Sequence, residues 1–143
     1  MRTVCRLRVR YSETDQMGTI DNARALEWFE RARTELLRGL GLAYAQVERR
    51  GIMLPVIEAH VAYLARARYD DPLDISAAAR RCGRARVRFD VNIAHADGAR
   101  DVVRGYTIHA VTDPSGRVVR PPEWLTSVLE ATDDAEDSGG AQQ

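Results

Sequence analysis

From residue 4 the chain alternates, with Cys5, Leu7, Val9 and Tyr11 on one face and Arg6, Arg8 and Arg10 on the other. A period of two predicts a half-buried strand over 4–11, with Tyr11 in the core beside Leu7 and Val9. The next residues, Ser-Glu-Thr-Asp-Gln-Met-Gly, read as a turn in which Gly18 supplies a positive φ. The period then changes. Over 22–38, Ala25, Leu26, Phe29, Ala32, Leu36 and Leu37 recur at helical spacing, and Glu27/Arg31 and Arg31/Glu35 are spaced for i,i+4 ion pairs. Asp21 or Asn22 can cap that helix, and Gly39 with Gly41 can end it. A short second helix is expected over 43–49. Beyond Gly51 the runs 53–66, 73–82, 84–95 and 101–112 read as strands separated by Asp-Asp-Pro, Cys-Gly, Ala-Asp-Gly and Asp-Pro-Ser-Gly turns. In the third, Val87, Phe89, Val91 and Ile93 share one face, and Arg84, Arg86, Arg88, Asp90 and Asn92 the other. Pro121 and Pro122 close the strand region, and Glu-Trp-Leu-Thr-Ser-Val-Leu-Glu-Ala after them suits a short terminal helix. One long helix between a first strand and a series of antiparallel strands is an α+β pattern, most simply a curved sheet of five or six strands wrapped around that helix.

Composition bounds this picture. The 143 residues (16.0 kDa) fit one domain over 1–130, followed by a polar, acidic tail over 131–143 that is predicted to be disordered. With 45% hydrophobic and 29% charged residues the chain is neither disordered overall nor a disulfide scaffold. It has no apolar run of membrane-spanning length, and its N-terminus alternates Arg with apolar residues instead of forming a signal-peptide core, so a cytoplasmic location is expected. Cys5 and Cys82 lack any metal-ligand spacing and read as two buried thiols.

All 21 basic side chains are arginines and none lies beyond Arg120, so the zero net charge conceals a basic body and an acidic tail. That modest excess suits an anionic ligand or an acidic protein partner. With no aromatic residue interleaved on the arginine face of the 84–93 strand, it argues against nucleic acid.

There is no phosphate-binding Gly-rich loop, no nucleophile elbow and no metal-ligand cluster, so no metal or redox cofactor is expected. His60, His95 and His109 lie within or at the ends of predicted strands, without triad spacing, and read as core or surface residues. Asp15 is different. It stands in a Gly-containing turn just ahead of the long helix, where a carboxylate can activate water or attack a carbonyl while unpaired N–H groups of the helix start hold the developing oxyanion. A turn or capping aspartate has the same spacing.

Tyr11-Ser-Glu-Thr-Asp15-Gln-Met-Gly18, then Asn22-Ala and Trp28-Phe29-Glu30-Arg31-Ala32-Arg33-Thr34-Glu35, resembles the strand, Asp-turn and helix signature of the 4-hydroxybenzoyl-coenzyme A thioesterase-like branch of the hotdog superfamily. Tyr63-Leu64 with Ala67-Arg68-Tyr69-Asp70-Asp71-Pro72-Leu73, and the strand Arg84–Ile93, extend the resemblance over residues 4–125. It implies a hotdog fold, sheet-paired homodimers or homotetramers with sites at subunit interfaces, and hydrolysis of an acyl-CoA or acyl-carrier-protein thioester. Asp15 then matches the catalytic carboxylate, and Asn22 the position whose backbone N–H polarises the carbonyl. Relatives often carry His at the position of Asn22 or Thr19, and Pro at that of Arg66; this chain departs at all three. A non-catalytic acyl-CoA-binding module is the alternative that the missing histidines keep open. Met17, Gly18 and Thr19 are candidate substrate contacts, as is Glu58. Arg84, Arg86 and Arg88 offer guanidinium forks for CoA phosphates or an acidic carrier surface. Trp28 and Phe29 read as core or dimer contacts.

Overall fold

In the computed structural model, which describes residues 1–130, the chain runs β1 (Arg2–Arg8), α1 (Arg24–Gly39), α2 (Tyr44–Arg49), β2 (Val56–Tyr63), β3 (Pro72–Arg81), β4 (Arg86–His95) and β5 (Asp101–Ala110). A last helix, α3, occupies 123–130. The five strands form one antiparallel sheet in the order β1-β3-β4-β5-β2, the lower of the two expected strand counts. No helix among the described residues is long and apolar enough to cross a membrane. The 131–143 tail lies outside the described residues.

The core is the interface between α1 and the sheet. Val87, Phe89, Val91 and Ile93 of β4 and Leu73, Ile75, Ala77 and Ala79 of β3 are buried on one face, as the alternation of β4 predicts. Against them α1 lays Ala25, Trp28, Phe29, Ala32, Leu36 and Leu37. The helix can sit this close because β5 carries Gly105: a Cβ there would stand 2.0 Å from the His60 carbonyl oxygen and 2.9 Å from the Phe29 ring. Phe29 fills the space a side chain would take.

Several local expectations are corrected. The first strand ends at Arg8, and Tyr11 begins a 3₁₀ turn (Tyr11–Glu13), so its ring leaves the core and is 79% exposed. The Tyr11 carbonyl now accepts the N–H of Thr14 at 3.1 Å, which holds the turn in place of a strand. The residue before α1 is Ala23, with no side-chain cap; Asp21 acts a step earlier, its Oδ1 accepting the Ala23 N–H at 3.0 Å. The predicted i,i+4 ion pairs give way to i,i+3 pairs, Arg24–Glu27 and Arg38–Glu35. Cys5 and Cys82 are free thiols, each only partly buried. Gly41, with φ 84°, ends α1 as expected.

The Gly105 contact yields a stability prediction. Gly105→Ala must push β5 from β2 or lift Phe29, and should cost about 3 kcal/mol or more, because the nearest obstacle is backbone. Denaturant unfolding measures it, and a loss below about 1 kcal/mol would contradict the packing described.

Candidate active site

Asp15 lies at the tip of a small hairpin. Thr14 pairs with Ile20, the Asp15 N–H donates to the Thr19 carbonyl at 2.8 Å, and the Gly18 N–H donates back to the Asp15 carbonyl at 3.1 Å. Gly18, with φ 77°, takes the left-handed conformation this loop requires. The carboxylate accepts the Met17 N–H on Oδ1 at 2.8 Å, an Asx turn that fixes the side chain. Oδ2 has no partner among the described residues, and Asp15 is exposed. The turn thus occupies one carboxylate oxygen and leaves the other open.

The hairpin is held from three sides. Thr19 bridges to Arg68, and the Ile20 N–H donates to the Ala67 carbonyl at 3.0 Å, tying the loop to the segment before β3. The Asp21 N–H donates to the Glu13 carbonyl at 2.7 Å. Beneath it, the Glu13 carboxylate is buried, accepting the Trp28 indole N–H at 2.7 Å and the Arg10 N–H at 2.8 Å. Burial alone would raise its pKa, but those bonds and the Arg10 guanidinium outweigh burial and hold it below the usual carboxylate range. Glu13 therefore joins the end of β1 to the second turn of α1, with the Asp15 hairpin between them.

Asn22 follows the hairpin. Its carbonyl accepts the Tyr63 hydroxyl from β2 at 2.5 Å, and its own N–H has no acceptor among the described residues. Burial, with the Asp21 charge, raises the Tyr63 pKa, keeping the phenol a donor. Tyr11 and Tyr69 meet edge to face at 6.0 Å and are exposed, as is Met17 of the hairpin, which leaves an apolar rim beside the loop.

Asp15, Met17, Gly18, Thr19 and Asn22 are thus brought together within one chain, and the other candidates stand elsewhere. Glu58, Arg86 and Arg88 lie on the sheet face turned away from α1. There the Arg88 guanidinium covers the Tyr106 ring at 3.8 Å and pairs with Asp90 at 3.0 Å, and the Tyr106 hydroxyl reaches Glu58 at 3.4 Å. Arg84 precedes β4 and, with Arg86, Ile57 and Cys82, lines an open cleft at the N-terminal ends of β2 and β4. Among the described residues no group of three or more His, Cys, Asp or Glu side chains could hold a metal ion.

Sequence reasoning missed Glu13, whose partner Trp28 is 15 positions away, and the polar group around His109. His109 is buried, its Nδ1–H donating to the Leu54 carbonyl at 2.8 Å, which leaves Nε2 to accept the Thr107 hydroxyl at 2.9 Å. His109 and Thr107 are both on the buried face of β5, and no local signal in the sequence says what they meet there.

The sequence model of the thioesterase-like superfamily matches residues 9–130, so the chain belongs to that superfamily. A 1,4-dihydroxy-2-naphthoyl-CoA hydrolase from Synechococcus elongatus is 28% identical over 129 residues, covering 88% of this chain and 93% of that protein. A Bacillus subtilis protein, YneP, provisionally assigned as an acyl-CoA thioesterase, is 42% identical over 57 residues, 40% of this chain and only 41% of that protein. Among solved structures, the hypothetical protein TT1821 from Thermus thermophilus superposes with a TM-score of 0.84 at 28% identity, over 92% of this chain and 99% of that one. The fold is the hotdog, and by class the protein is a thioester hydrolase.

Buried His109 sets a pH dependence. Burial, chiefly, lowers its pKa to about 4, so it is neutral in the native state. Below about 6.5 the unfolded chain takes up a proton that the native state refuses until about 4, and stability falls across that window by up to about 3 kcal/mol. Urea unfolding should show this acid limb in the wild type and a flatter one in His109→Gln; equal slopes would show that His109 does not titrate as described.

Proposed function

We propose that the protein hydrolyses acyl-CoA thioesters with Asp15 as general base or nucleophile and the Asn22 N–H as oxyanion donor. The observation that carries this is that Asp15 has Oδ1 held by the Met17 amide and Oδ2 open, while seven residues on, just ahead of α1, the Asn22 amide has no partner among the described residues. Oδ2 either takes a proton from the attacking water or itself attacks the thioester carbonyl, whose oxygen gathers negative charge. An N–H aimed at that oxygen favours the tetrahedral state over the planar substrate. Collapse breaks the carbon–sulfur bond and expels a thiolate; where Oδ2 was the nucleophile, water then hydrolyses the acyl-aspartyl anhydride, releasing the acid and restoring the carboxylate. Thiols ionise near pH ~8.5, so the thiolate is a good enough leaving group to depart without an acid catalyst. The histidines found in relatives at the positions of Thr19 and Asn22 are therefore dispensable here.

The assembly we infer pairs β2 with β2 of a second copy. Both β1 and β2 are sheet edges, but β1 is guarded by Arg2, Arg6 and Arg8 and by a bulge between Thr3 and Cys5. β2 instead leaves Val56, Ile57 and Tyr63 roughly half exposed. Antiparallel self-pairing covers that edge. It sets the N-terminal end of β2, with the Arg84–Arg86 cleft, against the end of the partner's β2 that reaches Asn22. In that arrangement Arg84 and Arg86 can meet CoA phosphates, and Met17 and the tyrosine rim can meet the thiol arm.

Asp15→Asn should lower thiol release from acyl-CoAs by roughly two to four orders of magnitude while thermal stability changes little, read with a colorimetric thiol reagent. Undiminished turnover would remove Asp15 from the mechanism. Tight binding of acyl-CoA by the wild type without thiol release would favour a binding module instead. Light scattering should give a mass of two chains or a multiple, and Ile57→Lys should shift it toward the 16.0 kDa monomer. An active wild-type monomer would overturn the shared edge.

A further inference from the structure

Between α1, α2 and the β4–β5 face lies a cavity of about 110 Å³ whose floor is apolar, made by Leu37, Leu54 and Phe89. Its polar lining is Glu30, Arg33 and Thr34 of α1, Tyr44 of α2 and His109 of β5, and behind it Thr107 links Arg33 to His109 by hydrogen bonds whose directions are fixed by chemistry. The Leu54 carbonyl can only accept, so His109 donates from Nδ1; Nε2 must then accept, so Thr107 donates its hydroxyl hydrogen. Thr107 is left with only lone pairs for Arg33, whose Nη1 lies a long 3.5 Å away. Among the described residues that is the one hydrogen bond Arg33 makes, and it has no ion pair there. Glu30, which also lines the cavity, acts on it through space without contact. The remaining donors of this half-buried guanidinium are open to water, and an acceptor oxygen carried on an apolar stem can take the water's place over the apolar floor.

The inferred β2 pairing brings this cavity toward the chemistry. Leu54 precedes the N-terminal end of β2, and β2 self-pairing brings that end beside Tyr63 of the partner subunit, the residue that reaches Asn22. We propose that this cavity selects the acyl group, taking acyl chains that end in a carboxylate, which Arg33 binds while the thioester lies at the Asp15 hairpin of the partner subunit. Size narrows the choice further. A closed apolar cavity that binds benzene has about 150 Å³, and at about 110 Å³ this one suits a carboxyl group with a methylene or two better than an aromatic ring. The inference rests on the thioesterase reading for its substrate and on the β2 pairing for its geometry.

The test compares glutaryl-CoA with valeryl-CoA, matched in carbon number and differing in the terminal carboxylate. In the wild type kcat/KM should favour glutaryl-CoA by roughly tenfold or more, a charge-assisted hydrogen bond being the difference. Arg33→Met should erase or invert that ratio, and Arg33→Lys should restore part of it. A wild-type ratio near one, or the same ratio in Arg33→Met, overturns the proposal. Calorimetry with the non-hydrolysable thioethers S-(4-carboxybutyl)-CoA and S-pentyl-CoA separates the two readings. Tighter binding of the carboxylated thioether, lost in Arg33→Met, supports the cavity's role even if no thioester is cleaved. Equal binding of the two overturns it whatever the turnover.

Discussion

The molecule depends on how closely α1 can approach β5. Phe29 seats over Gly105 because the glycine leaves the room, and from that contact the helix runs along the strand, with Arg33 reaching Thr107 and Leu37 lining the same cavity as His109. The alignment determines which helix residues face apolar sheet and which meet the polar end of β5. A bulkier residue at position 105 would lift the helix from the strand and open the core along its length. The α+β architecture is therefore set by an absence of side chain at one position as much as by the apolar stripe of α1.

A second constraint ties this core to the chemistry. Glu13 is a buried carboxylate, an expensive placement unless its oxygens are fully hydrogen-bonded. Its partners come from two elements, the Arg10 backbone after β1 and the Trp28 indole on α1. Because Glu13 and Asp15 are separated only by Thr14, whatever holds the first limits the second. Asp15 can be exposed and still be fixed in direction, since its hairpin hangs from a buried anchor and its Oδ1 is held by the Met17 amide. A general base or nucleophile on a free loop would lose the positional advantage that makes such groups effective.

Much of this was legible in the chain. The alternation of Val87 to Ile93, the helical stripe from Ala25 to Leu37 and the glycine that ends it are local patterns, and each became the expected element. The Asp15 turn and its place ahead of the helix were legible for the same reason. What escaped depends on contacts between distant residues. Tyr11 continues the strand's period, yet the chain turns at Ser12 and Glu13, where Glu13 spends its side chain on Trp28 and the Arg10 backbone. The i,i+4 ion pairs at Arg31 were possible on an isolated helix, but Glu27 and Glu35 pair with Arg24 and Arg38 instead. The Arg33–Thr107–His109 wall joins residues 74 positions apart, and no window of sequence contains both.

The arginine-rich strand shows how pattern and position part company. Period two assigned Arg86 and Arg88 correctly to one face of β4, and that face is turned away from α1. Within one chain those side chains serve the sheet: Arg88 stacks on Tyr106 and pairs with Asp90, and like charges on neighbouring strands are kept apart by the acids between them. Arg33 is the opposite case. Sequence gives it no distinction among the 21 arginines, yet it stands half-buried beside a neutral histidine with its donors unspent. Surface cations cost little and are easily screened, whereas one held against the core is retained at a cost in folding energy that a recognised anion can offset. By that measure the less conspicuous arginine is the one to which the structure gives a specific chemical opportunity.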